Sequence, residues 1–209
     1  MPHFAVRSVW TLNNMAVSLQ KGQKISLSKG NDGLSSVTIG LGWDEAQKKK
    51  GLFAKKEKNI DCDASAILLT NDILAGKEDI VYFAHLKHSS GSVIHKGDNL
   101  TGVGNGDDEQ IMVDLTRVPY NINRIVFVVN IYQAVQRKQH FGMINNAFIR
   151  IVDNRNNSEI CRYNLTDDYS GSMAMIFGEI YRYNNEWKFN AMGQGTPDTS
   201  IGDLAKRFT

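Results

Sequence analysis

The chain has 209 residues, of which 42% are hydrophobic and 22% charged, a balance that supports one well-buried core and excludes a disordered chain. No apolar run approaches the roughly 18 to 20 residues that span a bilayer, and the start lacks the features of a signal peptide, so a cytoplasmic protein is expected. The formal net charge of +2 selects no class of partner, because the charges are segregated: lysines crowd into 47–58 and acids into 61–63 and 98–109.

Residues 1–14 show no hydrophobic period and precede a second methionine, Met15. They read as a poorly ordered N-terminal extension ahead of one domain over 15–209, with Met15 an alternative start. From Val17 the chain runs VSLQKGQKISLSKG, with apolar and polar residues alternating on both sides of a Lys-Gly-Gln turn. This pattern predicts a hairpin of two short strands. The same period of two recurs over 36–41, 60–69, 80–84, 110–115, 124–132, 147–153, 159–165, 174–181 and 186–192. Short strands separated by Gly, Asn and Asp turns predict an all-β fold, a β-sandwich of two mainly antiparallel sheets with few short helices. The main helix signal is 200–208, capped by Thr199 or Ser200. The repeated amphipathic helices of an α/β architecture are missing from the pattern.

Within Ile60-Asp61-Cys62-Asp63-Ala64-Ser65-Ala66, a strand places Asp61, Asp63 and Ser65 on one face and Cys62, Ala64 and Ala66 on the other. Two neighbouring carboxylates repel unless a cation or a basic group neutralises them. The competing reading is a strand end facing solvent. In 97–109, GDNLTGVGNGDDE, four glycines permit tight turns, and Asp98, Asn99, Asp107, Asp108 and Glu109 present oxygens. A hard cation suits this set. Calcium, which mixes six to eight carboxylate and carbonyl oxygens, ranks ahead of magnesium, and a flexible acidic turn is the bland alternative. Three consecutive acids oppose a phosphate, and Ser65 breaks the EF-hand pattern begun by Asp61 and Asp63. Asp44, in Gly40-Leu41-Gly42-Trp43-Asp44, is a third contributor, turned outward where Trp43 anchors in the core.

The segments GLGWD, DCDASAILL, GDNLTGVGNGDDE, RIVFVVNIY, FGMINNAFIRIVD and MIFGEIYRYNNEWKFNAMGQG, in this order, resemble the TerD family of tellurite-resistance and general-stress proteins. The resemblance runs from about Val17 to Phe208. It implies a calcium-binding, non-enzymatic β-sandwich acting in resistance to tellurite, phage and other stresses. It also implies partnership with other Ter proteins and a membrane protein of the TerC type. Carried over by position, its DxD falls on Asp61 and Asp63, its GDNxTG on Asp98, Asn99 and Thr101, and its GDDE on Asp107, Asp108 and Glu109. The lysine-rich insert over 47–59 departs from the short members and is more similar to the TerZ branch.

That insert, with its Leu52-Phe53 tip, reads mainly as a solvated loop, with peripheral contact to an anionic inner-membrane face through 48–58 as the alternative. No nucleic-acid partner is expected. His85, His88 and His95 read as surface imidazoles, Cys62 and Cys161 as buried thiols without a CxxC spacing, and Trp187 and Phe189 as sandwich core. With no GxSxG, HExxH or Cys–His arrangement, no enzyme is expected. The main alternative function is a calcium-dependent membrane- or protein-docking module, followed by a metal-dependent hydrolase.

Overall fold

Twelve strands lie within residues 16–45, 60–98 and 106–209, the residues that the computed structural model describes, and form two six-stranded sheets. Numbered in chain order, the first sheet runs β1 (Val17–Leu19), β10 (Ser158–Asn164), β9 (Ile144–Asp153), β3 (Ser36–Glu45), β7 (Glu109–Asp114) and β6 (Val93–Asp98). The second runs β2 (Lys24–Ser26), β12 (Glu186–Thr196), β11 (Ala174–Tyr183), β8 (Ile122–Ile131), β4 (Cys62–Thr70) and β5 (Ile80–Val81). Every pairing is antiparallel except the parallel edge between β1 and β10. The expected all-β sandwich is therefore the fold.

Alternation sets the layers. In β3 and β7, Val37, Ile39, Leu41, Ile111 and Val113 point between the sheets, where they meet Phe127, Val129, Phe177 and Phe189 of the second sheet. In β4, Cys62, Ala64, Ala66 and Leu68 join this core, whereas Ile67 and Leu69 belong to a separate apolar cluster on the outer face. That outer cluster also holds Val126, Val128, Ile176 and Leu204, with Ile201 and Phe208 packed against it. The second sheet is thus buried on both sides where the C-terminal segment crosses it, which explains the continuous apolar run of β4. Trp187 and Phe189 pack in the main core, as expected.

The C-terminal segment contains α2 (Ile201–Ala205), whose N-cap Ser200 accepts the N–H of Asp203 at 3.1 Å. The Phe208 carbonyl then accepts the N–H of Leu74 at 2.7 Å, tying the end of the chain to the turn after β4. A second short helix, α1 (Ala134–Arg137), follows β8.

Three expectations need correction. β1 and β2 are not a hairpin: β1 pairs with β10 in one sheet and β2 with β12 in the other. Two three-residue strands alternate identically whether they pair with each other or with separate edges, so periodicity carries no information about the partner. The segment expected over 80–84 shortens to Ile80–Val81, because Tyr82 and His85 close a turn by reciprocal backbone bonds. His88 and His95 are not at the surface; they are 5% and 2% exposed. The proposed extension over 1–14 and the insert over 47–59 lie outside the described residues.

Candidate metal centre

Strand β3 ends in Gly40-Leu41-Gly42-Trp43-Asp44. Leu41 points into the core, so the two glycines share the outer face and leave it without side chains. A methyl on Gly40 would overlap the Asp107 carboxylate, and one on Gly42 would overlap the Gly106 carbonyl and the Phe148 ring. Residues 106–108 lie directly against this bare strip. The Asp108 N–H donates to the Leu41 carbonyl at 2.8 Å, and the Trp43 N–H donates to Asp108 Oδ2 at 2.7 Å. Ladder irregularities between Gly42 and Asp44 and between His95 and Asp98 fall at this same end. Such bulges re-aim side chains at the end of a sheet.

The acids brought to this end point in several directions. Glu109 faces inward and accepts the Ala64 N–H at 2.7 Å, with His95 Nε2 at 3.2 Å, so it bridges the two sheets. The Gly97 N–H donates to His95 Nδ1 at 2.9 Å, which leaves Nε2 as the protonated nitrogen facing the carboxylate. Asp107 turns to the outer face of the first sheet, where Arg150 Nε and Nη2 donate to its two oxygens at 2.7 and 2.8 Å. Gln110 adds a third bond at 2.9 Å. Asp44 is exposed and accepts from the Asn146 amide at 2.8 Å. Asp61 lies 3.6 Å from Arg137. Asp63 is on the outer face of β4, as alternation predicts. The backbone of Asp98 pairs with Glu109, but its side chain, like Asn99 and Thr101, lies outside the described residues.

One thiol records how close several of these acids come. Burial pushes Cys62 well above the ordinary thiol range, and the charges of Asp63, Glu109, Asp61 and Asp108 push it further. Asp108 is itself raised, first by lost hydration and then by Asp44 and Asp107, against the opposing effect of the Trp43 N–H. Among the described residues, neither Asp44 nor Asp108 is paired with a lysine or an arginine; their partners are a neutral amide and a backbone N–H. These are hard oxygen donors and fit a hard cation in kind. No group of three or more His, Cys, Asp or Glu side chains among the described residues converges closely enough to hold an ion by itself.

The TerD domain family matches residues 15–208. This chain belongs to the TerD family. It is 54% identical over 198 residues to the stress response protein SCP2 of Bacillus subtilis (strain 168), covering 93% of this chain and 100% of that protein. It is 47% identical over 182 residues to the tellurium resistance protein TerD of Serratia marcescens, covering 87% and 91%. A solved structure of a TerD homologue from Streptomyces coelicolor A3(2) superposes with a TM-score of 0.60 at 19% identity, covering 85% of this chain and 99% of that one. That likeness concerns the fold. Among the described residues of this TerD-family chain, no helix is long and apolar enough to cross a membrane.

The sequence alone does not assign two residues to the acidic end: Arg150 carries no local signal of its partner, and His95 reads as a surface imidazole although it is 2% exposed. Arg150 neutralises Asp107 and also contacts Glu159, which in turn binds Arg162. The alternation Ile149-Arg150-Ile151 marks Arg150 as outward-facing, but nothing local names a partner 43 positions away. His95 follows Val93 at strand spacing, a signal that could have placed it inside.

Proposed function

We propose that this TerD-family protein binds calcium at the end of the sandwich that carries Asp44, Asp61, Asp63, Asp108 and Glu109, and that it contributes to tellurite and general stress resistance as a binding protein without catalytic turnover. The observation that carries the reading is the juxtaposition of Asp44 and Asp108, two carboxylates next to one another whose partners among the described residues are neutral. A bound cation would remove the repulsion that weakens the acidity of Asp108. Residues 98–105 would supply the further oxygens that the described side chains do not, consistent with calcium's use of backbone carbonyls. The names of the relatives, in stress response and tellurium resistance, support the biological role.

In this reading calcium orders the end of the fold and produces no chemical step. Binding raises stability by RT ln(1 + [L]/Kd), about 2.7 kcal/mol at a hundredfold excess over Kd. The test is calorimetry and thermal melting of the wild type and of Asp108→Asn with calcium, magnesium and EDTA. Calcium should give binding heat and a higher melting temperature in the wild type, and both should shrink in Asp108→Asn. No heat and no shift in the wild type would remove the proposal. Hydrolysis of a broad substrate panel that stops on chelation would replace it with an enzyme.

A further inference from the structure

The single helical turn α1, which follows β8 at the acidic end, is weakly held by its own structure. Of its four residues Ala134 is buried, whereas Val135 and Gln136 are exposed. No side chain caps it. The residues on either side, Gln133 at φ 53° and Lys138 at φ 54°, both take the left-handed conformation. Outside glycine, asparagine and aspartate that conformation is strained, and it persists only where surrounding contacts impose it. A helix of one turn has no stability of its own to offset the strain.

The contacts come from β4 and from Arg137. The Tyr132 N–H donates to the Asp61 carbonyl at 2.7 Å, and the Gln139 N–H closes onto the Ala134 carbonyl at 2.9 Å. Arg137 turns back over the start of the helix. Its Nη1 lies 3.6 Å from Asp61 Oδ2, and its guanidinium carbon is 5.0 Å from the centre of the Tyr132 ring. The side chain is only 18% exposed, yet its Nε is buried and donates to no acceptor among the described residues. Buried donors are nearly always paired, so hydrogen bonding does not account for where this guanidinium sits. Charge does: Asp61 is beside it, and Asp61, Asp63, Glu109 and Asp108 all lie near enough to act on the Cys62 thiol.

We propose that Arg137 is an internal counter-charge for the acidic end, a role that rests on the calcium reading: it holds Asp61 when no cation is bound and gives it up when one is, so that α1 loosens on binding. The guanidinium and a cation draw on the same carboxylate and repel one another. Asp61 is 55% exposed and its pair with Arg137 is long, which makes the contact weak enough to be exchanged. Once it is lost, α1 keeps the strain of its two flanking residues without the pair that opposed it. Occupancy of the site is thereby relayed to an exposed segment carrying Tyr132 and Val135, 44% and 59% exposed. The coupling is reciprocal, so whatever holds α1 in place also weakens the cation.

The test is calorimetry with calcium on the wild type, Arg137→Gln, Arg137→Lys and Arg117→Gln, together with hydrogen exchange of α1 with calcium and with EDTA. Arg137→Gln should bind calcium about threefold more tightly, the scale of an exposed ion pair, and the gain should shrink at high salt. Arg137→Lys keeps the charge and should stay close to the wild type. Arg117 follows β7 at the end away from Glu109 and donates to the Ser90 carbonyl, so Arg117→Gln removes the same charge from the other end and should change the affinity far less. The Arg137 and Gln139 amides, which bond to the Gln133 and Ala134 carbonyls, should exchange faster in calcium than in EDTA in the wild type. In Arg137→Gln they should be fast in both. Calcium heat in the wild type with the same affinity in Arg137→Gln, or with slower exchange of α1 on binding, would overturn the role of Arg137 and leave the calcium reading intact. No calcium heat in any of the four proteins would remove both.

Discussion

The Glu109 carboxylate, on β7 of the first sheet, accepts the backbone N–H of Ala64, on β4 of the second, at 2.7 Å. Glu109 is 4% exposed and also meets the buried His95 ring. The bond ties the two sheets together beside the acidic end, where the strands stop and loops begin. Truncation leaves the Ala64 N–H buried without this acceptor and His95 Nε2 without its carboxylate. Glu109→Ala should therefore lose about 1–3 kcal/mol in denaturant unfolding. Glu109→Gln, whose amide oxygen still accepts from Ala64, should lose less. Equal stability of Glu109→Ala and the wild type would show that the tie contributes nothing.

Asp107 separates structural from ligand chemistry. Both of its oxygens are engaged by Arg150, and its side chain is 2% exposed. Removing one member leaves the other with its lesser partner, Gln110 for Asp107 and Glu159 for Arg150, so Asp107→Asn and Arg150→Met should each be destabilising, by less than the roughly 3–5 kcal/mol of a buried pair left with no partner. The calcium heat of folded Asp107→Asn should stay close to the wild type, whereas that of Asp108→Asn should fall. The reverse order in calorimetry would move Asp107 into the ion's coordination sphere and Asp108 out of it.

Gly40 and Gly42 are predicted to be intolerant for different reasons. A methyl on Gly40 meets a side chain, the Asp107 carboxylate, which has some freedom to move; a methyl on Gly42 meets the Gly106 backbone carbonyl and the Phe148 ring, which have less. Gly42→Ala should thus cost more than Gly40→Ala, with overpacking typically worth about 1–3 kcal/mol. Thermal melts of the two variants give the comparison, and a Gly40→Ala melt below that of Gly42→Ala would contradict the assignment.

Both thiols should be inert in the folded protein. Burial is the main cause at each: it pushes Cys161 up to about 12 and Cys62 well above the ordinary range, where nearby acids add to it. The thiolate is the reactive form, so iodoacetamide at neutral pH should label neither until denaturant is added. Labelling of native Cys62 at the rate of a free thiol would show that the acidic end opens in solution.

The strands were legible because each carries its own alternation, and the sandwich followed from their number and spacing. Their partners were not, as the separation of β1 and β2 into different sheets shows. Strand β6 escaped because only Val93 and His95 form its inward face before Gly97 interrupts it, and one of those two is a histidine. At the site, residue type was legible and direction was not. Asp107, Asp108 and Glu109 are consecutive, yet one binds Arg150 on an outer face, one caps Trp43 at the rim and one crosses between the sheets. Those directions are set by the bare Gly40–Gly42 strip and by distant partners, which no local window contains.

The C-terminal cover over the second sheet should be acid-sensitive through Asp203. Lys206, Thr199 and Ser200 all donate to its carboxylate and hold it down at about 2, below the ordinary aspartate value near 3.8. Since the folded value lies below the unfolded one, the contribution is complete above the unfolded value and declines as pH falls through the window between the two. The group is fully solvent-screened, so the effect should appear as local fraying more than as global unfolding. Hydrogen exchange of the Leu204 and Leu74 amides provides the readout, since Leu204 packs in the outer cluster and Leu74 bonds to Phe208. On moving from neutral pH to about 2.5, protection there, corrected for intrinsic exchange, should fall relative to the β8 and β11 amides. Asp203→Asn should show much of that loss already at neutral pH and a flatter acid dependence. Unchanged protection in the variant would mean that the apolar contacts of Leu204, Ile201 and Phe208 hold the segment without its cap.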